Sequence, residues 1–120
     1  MIDASQYRLG VLTMTIRPIT LKFMDERFDL SAVGFIWNAK KALANLRKHG
    51  VSFEEAATVF FDPFLKLVDA SPEDEARDAV IGTSEDGRLL FVVHIAFEQE
   101  LVRIISARKA TRNERLCYEE

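Results

Sequence analysis

The chain has 120 residues, 48% hydrophobic and 29% charged, with a formal net charge of −3 at pH 7. That length suits one domain, and the composition excludes collagen-like, low-complexity and disordered classes. No run reaches the roughly 18 apolar residues of a membrane span, and the lone Cys117 can supply neither an internal disulfide nor a thiolate zinc set, so a soluble, cytoplasmic protein is expected.

Residues 1–34 read as an N-terminal extension, either poorly ordered or an extra strand, and residues 35–120 as a single domain. Phe35-Ile36-Trp37 predicts a short strand. Asn38 is a good N-cap for a helix in which Ala39, Leu43 and Leu46 recur at helical spacing, leaving Lys40, Lys41, Arg47 and Lys48 on other faces. Gly50 stands where a left-handed C-cap is wanted, and Lys48 and His49 complement the dipole in the last turn. Ser52 with Glu55 is a capping-box pattern for a second helix, whose apolar stripe is Phe53, Ala56, Ala57, Phe60 and Phe61. Asp62-Pro63 ends it.

The remainder predicts strands. They run over 64–69, 77–84, 88–97 and 101–109, with an acidic loop over 70–76 and a hairpin at Glu85-Asp86-Gly87. Thr111 with Glu114 caps a C-terminal helix. The expected class is α+β: an antiparallel sheet of about four strands, with two N-terminal helices and a short C-terminal helix packed on one face.

Metal chemistry has little support. His49 and His94 lie on different elements, and Glu73-Asp74-Glu75 has consecutive carboxylates that diverge. No glycine-rich phosphate loop or Gly-x-Ser-x-Gly elbow is present. What remains is a set of Arg, Lys, His and Tyr side chains, which suits RNA cleavage through the substrate's own 2′-hydroxyl. That reaction needs a base, an acid and fixed positive charge for the phosphorane. Two basic stretches, Lys40 to His49 and Leu101 to Glu120, flank an acidic one from Glu54 to Asp78. Convergence of the two would make a phosphate-binding surface.

Each candidate has a plainer reading beside the chemical one. His49 either transfers protons or simply caps a helix. Arg108, at a strand end before a helix cap, is either a phosphate seat or the ion-pair partner of Glu114 or Glu119. Arg77 binds phosphate or pairs with Asp78 or Glu75, and His94 reads as a hydrogen-bonded core residue.

The segments WNAKKALANLRKHGVSFEEAATVFFDP, IGTSEDGRLLFVV and RIISARKATRNERLCYEE resemble BrnT-type toxins of bacterial toxin–antitoxin pairs from about Phe35 to Glu120. Lys48-His49-Gly50-Val51-Ser52-Phe53 and Arg103-Ile104-Ile105-Ser106-Ala107-Arg108 carry most of that resemblance. It implies a RelE-like fold and a metal-independent, cofactor-free ribonuclease that inhibits translation. It also implies a BrnA-type antitoxin partner with a ribbon-helix-helix domain, in a heterotetramer. On that reading Arg108, Arg77, His49 and Lys48 form the catalytic set, with Lys40, Lys109 and Tyr118 contacting RNA. Two rivals remain open at this point: a non-catalytic module that binds antitoxin or nucleic acid, and a helix-turn-helix DNA binder built from residues 38–61.

Overall fold

A computed structural model describes residues 24–69 and 77–120. The acidic loop expected over 70–76 and most of the N-terminal extension lie outside the described residues. Among the described residues, six strands and three helices follow in chain order. They are β1 (Asp25–Leu30), β2 (Val33–Asn38), α1 (Ala39–His49), α2 (Phe53–Thr58), a 3-10 turn (Val59–Phe61), β3 (Lys66–Asp69), β4 (Asp78–Thr83), β5 (Leu89–Phe97), β6 (Leu101–Lys109) and α3 (Arg112–Glu119). The strands form one sheet in the order β1-β2-β6-β5-β4-β3.

The class is α+β, as expected, and three features of the architecture correct the expectation. The described residues form six strands instead of about four, because the short strand expected at 35–37 joins the sheet as β2 and the 25–30 segment hairpins onto it through Ser31 and Ala32, both at positive φ. The sheet is mixed: β2 runs parallel to β6, while every other neighbouring pair is antiparallel. A parallel neighbour requires a long crossover, and everything from α1 to β5 serves as that connection. The helices also do not share one face. Trp37 packs edge-on against Phe53 of α2 at 5.7 Å, whereas α3 lies across the sheet, where Tyr118 and Cys117 meet Thr83 and Lys66.

The local signals are largely realised. Asn38 accepts the Lys41 N–H at 3.1 Å, and Gly50 ends α1 at φ +71° with its N–H on the Leu46 carbonyl. Gly87 turns the β4–β5 hairpin at φ +84°. Thr111 and Glu114 complete a reciprocal capping box. Ser52 makes only half of the expected one: its Oγ accepts the Glu55 N–H, while the Glu55 carboxylate turns away to Ser84 and Arg88. An arginine offers that carboxylate charge-assisted hydrogen bonds that a backbone N–H cannot match. The second helix also tightens after Thr58 into the 3-10 turn, leaving Phe61 42% exposed.

The core lies between the sheet and α1–α2. It is built from Phe35, Trp37, Val51, Phe53, Val59 and Leu90 with their smaller neighbours. Here α1 departs from its expected orientation. Leu43 and Leu46 are 49% and 44% exposed, while Ala42 and Asn45 face inward. Asn45 explains the choice. Its side-chain N–H groups donate to the carbonyls of Val51 and Ala107, at 3.0 and 2.8 Å, and its Oδ1 accepts the Ala107 N–H at 3.1 Å. A buried amide with three partners ties α1 to β6, and no leucine at that position could satisfy those backbone groups.

His94 is buried on β5, as expected of a core residue, with its ring edge-on to Phe60 at 4.9 Å. The hydrogen-bonded part of that expectation fails for Nδ1, which has no partner among the described residues. Burial lowers the pKa of His94, against the opposing pull of the Val92 carbonyl and the Asp78 carboxylate.

Two predictions follow from these contacts. Asn45→Ala strands three backbone groups and should cost about 3 kcal/mol of unfolding free energy in urea titration. The second concerns His94, whose folded pKa lies below the 6.5 of the free group. Above that value neither state holds the proton. As pH falls through it the unfolded chain protonates first, so stability declines until the folded pKa is passed. His94→Leu should flatten the difference in urea midpoint between about pH 7.5 and about pH 5.5.

Candidate functional site

The geometry of the basic residues is set by an irregularity in β6. Along β5, Val93 pairs with Ser106 and the next residue, His94, pairs with Ile104. Ile105 is therefore an extra residue, a β-bulge in β6. In a regular strand Arg103 and Arg108, five positions apart, would point to opposite faces. The bulge resets the alternation, so Arg103 opposite Ile95 and Arg108 opposite Phe91 share one face. Ile104 and Ala107, three positions apart, are correspondingly both buried on the other.

The Arg108 side chain lies over the Phe91 ring, 4.4 Å from its centroid. Its two terminal nitrogens donate to both oxygens of Glu114, each at 2.8 Å. Glu114 belongs to the first turn of α3, so the ion pair also ties that helix to the sheet. The hydrogen bond to Arg108 is the main cause that holds the Glu114 carboxyl below its usual range, and the same bond raises the Arg108 pKa. The planar fork is thus preoriented by an aromatic ring and filled by a carboxylate, which presents two oxygens much as a phosphate does.

Arg77 precedes β4, four residues before Ile81, which lies in the same cross-strand row as Phe91 and Arg108. Strand alternation puts Arg77 on the Arg108 face, about 13 Å away along the strand. Lys109 is exposed at the end of β6. Tyr118 is held within the fold: its hydroxyl donates to Asp62 at 2.7 Å and lies 3.2 Å from the Thr83 hydroxyl. The Thr83 contact works to lower its pKa, while Asp62 and burial outweigh it and raise the value.

Lys48 and His49 lie at the C-terminal end of α1, on the other face of the sheet. They nevertheless stand at the same end of the sheet as Lys109. Arg88 donates to the Gly50 carbonyl at 3.0 Å, and the adjacent Leu89 carbonyl receives the Ala110 N–H. The structure therefore puts Arg108 and Arg77 on one face and turns Lys109, the next residue of β6 and the partner of core-facing Leu90, to the opposite one. It sets Lys48 and half-exposed His49 around the strand ends on the other, with Lys40 exposed in the first turn of α1.

Several organising residues escape a reading of sequence. Arg88 grips the Glu55 carboxylate with two nitrogens, Nε at 2.9 Å, and ties the β4–β5 hairpin to α2. Arg103 pairs with Asp25 at 2.9 Å across the one intervening strand, β2. Asp62 gathers the Thr83 and Phe64 N–H groups and the Tyr118 hydroxyl. The odd spacing of Arg103 and Arg108 conceals their shared face. The only sequence hint is the apolar pair Ile104-Ile105, which breaks strict alternation.

Two grooves lie away from these cations. One of about 440 Å³ is bordered by Phe61, Asp62 and Glu85, and one of about 280 Å³ by Phe28, Glu54, Glu55 and Asp86. Their carboxylates make them poor hosts for phosphate. Among the described residues no three His, Cys, Asp or Glu side chains gather as a metal site. No helix there is long and apolar enough to cross a membrane. The helix-turn-helix alternative fails on the second helix: α2 is six residues long, buries Phe53, Ala56 and Ala57 in the core and leaves the carboxylate of Glu54 outward, which does not suit a recognition helix in a DNA groove.

Comparison with curated proteins gives no match. Among solved structures, the chain is similar to the ribonuclease toxin BrnT of Brucella abortus, determined at 1.1 Å. The identity is 23% and the TM-score 0.49, over 63% of this chain and 94% of that one. A family model described as ribonuclease toxin, BrnT, of type II toxin–antitoxin system matches residues 37–114, a span that runs from the end of β2 through Glu114 and includes every basic residue discussed above. By that match the chain belongs to the BrnT family of ribonuclease toxins of type II toxin–antitoxin systems.

Proposed function

We propose that this chain cleaves RNA without metal, with Arg108 as the group that stabilises the phosphorane and the substrate's 2′-hydroxyl as nucleophile. The observation that carries the reading is the preoriented Arg108 fork on Phe91, already engaged by a two-oxygen anion, Glu114. An RNA phosphate displaces that carboxylate and takes its place. The 2′-oxygen attacks phosphorus, the bond to the 5′-oxygen breaks, and a 2′,3′-cyclic phosphate is left. One proton leaves the 2′-hydroxyl and one reaches the departing 5′-oxygen.

Proton transfer is assigned to His49, which requires the RNA to reach around the strand ends, since His49 and Arg108 stand on opposite faces of the sheet. His94 is buried against Phe60 and biased to its neutral form, so it cannot serve. Lys48 accompanies His49 as an RNA contact and alternative proton donor. Arg77 holds a neighbouring phosphate on the Arg108 face, Lys109 contacts RNA at the strand end, and Lys40 extends the contact along α1. Tyr118 acts through α3, as a neutral phenol anchored on Asp62. The partner is a BrnA-type antitoxin with a ribbon-helix-helix domain in a toxin–antitoxin heterotetramer, and the setting is the cytoplasm, where RNA cleavage halts translation.

Purified chain incubated with RNA in excess EDTA should cleave it and leave 2′,3′-cyclic phosphate ends. Arg108→Ala should lower the rate on the order of a hundredfold or more while the protein stays folded. Arg108→Lys, which keeps the charge and loses the fork, should be nearly as damaging. Undiminished cleavage by folded Arg108→Ala removes this residue from catalysis. Activity that needs added magnesium, or 5′-phosphate products, overturns the mechanism. A chain that binds antitoxin tightly and never cleaves RNA is a binding module instead.

A further inference from the structure

The helix α1 has two apolar flanks, and the fold uses only one. Ala42 and Asn45 turn inward, and Asn45 is locked to Val51 and Ala107. At 3.6 residues per turn, the Ala39-Leu43-Leu46 stripe is centred roughly a quarter-turn away from that direction. Leu43 is accordingly 49% exposed and Leu46 44%. A helix 11 residues long thus leaves its two leucines half-exposed while it buries an asparagine and turns an alanine to the core. The hydrophobic effect opposes that arrangement in an isolated chain, and it is the usual mark of a surface that another molecule covers.

The charges around the stripe select the kind of molecule. α1 carries Lys40, Lys41, Arg47 and Lys48, and no carboxylate. Lys40 and Arg47 follow Leu43 on the solvent side of the stripe, so the leucines are bordered by cations that no neighbouring acidic residue of the helix neutralises. Nucleic acid fits the charges but leaves the leucines unused, since bases stack on aromatic rings and α1 contains none. A protein segment with apolar side chains set among carboxylates uses both. Leucines three positions apart on a helix flank form a short ridge, which packs best against a second helix.

We propose that the exposed flank of α1, Leu43 and Leu46 bordered by Lys40 and Arg47, is a docking surface for an acidic amphipathic helix of the antitoxin. The inference rests on the toxin–antitoxin part of the reading above and is independent of the cleavage chemistry. The apolar contact supplies the lasting affinity. The cation border speeds encounter and rejects basic partners, and it makes binding weaken as salt rises.

The test measures the affinity of the full chain for its cognate antitoxin by calorimetry, at low and high salt, alongside RNA cleavage by the free chain. Leu43→Ser with Leu46→Ser should weaken antitoxin binding at least tenfold while cleavage and melting temperature hold. Arg47→Glu, at an exposed position that poses no folding risk, should weaken binding separately and reduce its salt dependence. Unchanged antitoxin affinity in Arg47→Glu and in the folded double leucine variant overturns the proposal. So does a loss of RNA binding with antitoxin affinity intact, which would make this flank an RNA surface. Failure of the wild-type chain to cleave RNA, with antitoxin binding still lost in the variants, would sink the ribonuclease mechanism and leave this surface standing.

Discussion

Strand β6 has to serve both faces of the sheet at once, and the extra residue at Ile105 is how it does so. Its partners on either side, β2 and β5, are themselves paired outward, so β6 cannot shift register without disturbing the whole sheet. With the bulge, Ile104 and Ala107 both close the core beneath the helices, and Arg103 and Arg108 both stand on the opposite face. Without it, one of those arginines would be driven into an apolar core. The desolvation cost of an unpaired guanidinium there would be several kcal/mol, far beyond the worth of one ladder hydrogen bond.

Placing cations on that face is only half of the electrostatic arrangement, because three of them are also answered by carboxylates. Arg27 pairs with Asp29, Arg103 with Asp25 and Arg108 with Glu114, while Arg88 pairs with Glu55 near the hairpin. The exposed pair Arg27–Asp29 contributes little to stability. The half-buried pairs do more, since their geometry is two-pronged and each joins elements distant in sequence: β6 to β1, and the β4–β5 hairpin to α2. This pairing also reconciles a net charge of −3 with a phosphate-binding role. A net negative chain does not attract RNA through its global field, and the proposed exchange of Glu114 for a phosphate at a fixed arginine asks for none.

The two sides of the molecule divide the work. On the helix side, the aromatic packing of Phe35, Trp37, Phe53 and Phe60 and the Asn45 clamp give α1 a rigid seat, from which it offers solvent a cationic, leucine-bearing flank. On the other side, α3 is a short helix with no fully buried residue, held by the Arg108–Glu114 pair, the Tyr118–Asp62–Thr83 cluster and the contacts of Lys66 with its C-terminal carbonyls. A helix attached by polar contacts moves at lower cost than one attached by a core. That suits the proposed displacement of the Glu114 carboxylate by substrate.

What the sequence determined by itself is what neighbouring residues decide between them. Asn38, Gly50, Gly87 and the Thr111–Glu114 box mark the ends of their elements because capping and turn chemistry act over three or four residues. The segments that resemble the BrnT family were legible for the same reason, as short motifs in a fixed order. The tertiary structure alone decided where faces point. The leucine stripe of α1 is a good helical pattern, but periodicity cannot say which flank meets the core, and Asn45 overruled it with three long-range hydrogen bonds. Glu55 abandoned a local cap for an arginine 33 positions away. The parallel β2–β6 pairing joins segments with most of the domain between them, and the bulge at Ile105 exists only in relation to β5. Arg103 and Arg108 thus share a face for a reason that lies in a neighbouring strand, because strand pairing, unlike capping, is settled by whichever backbone arrives alongside.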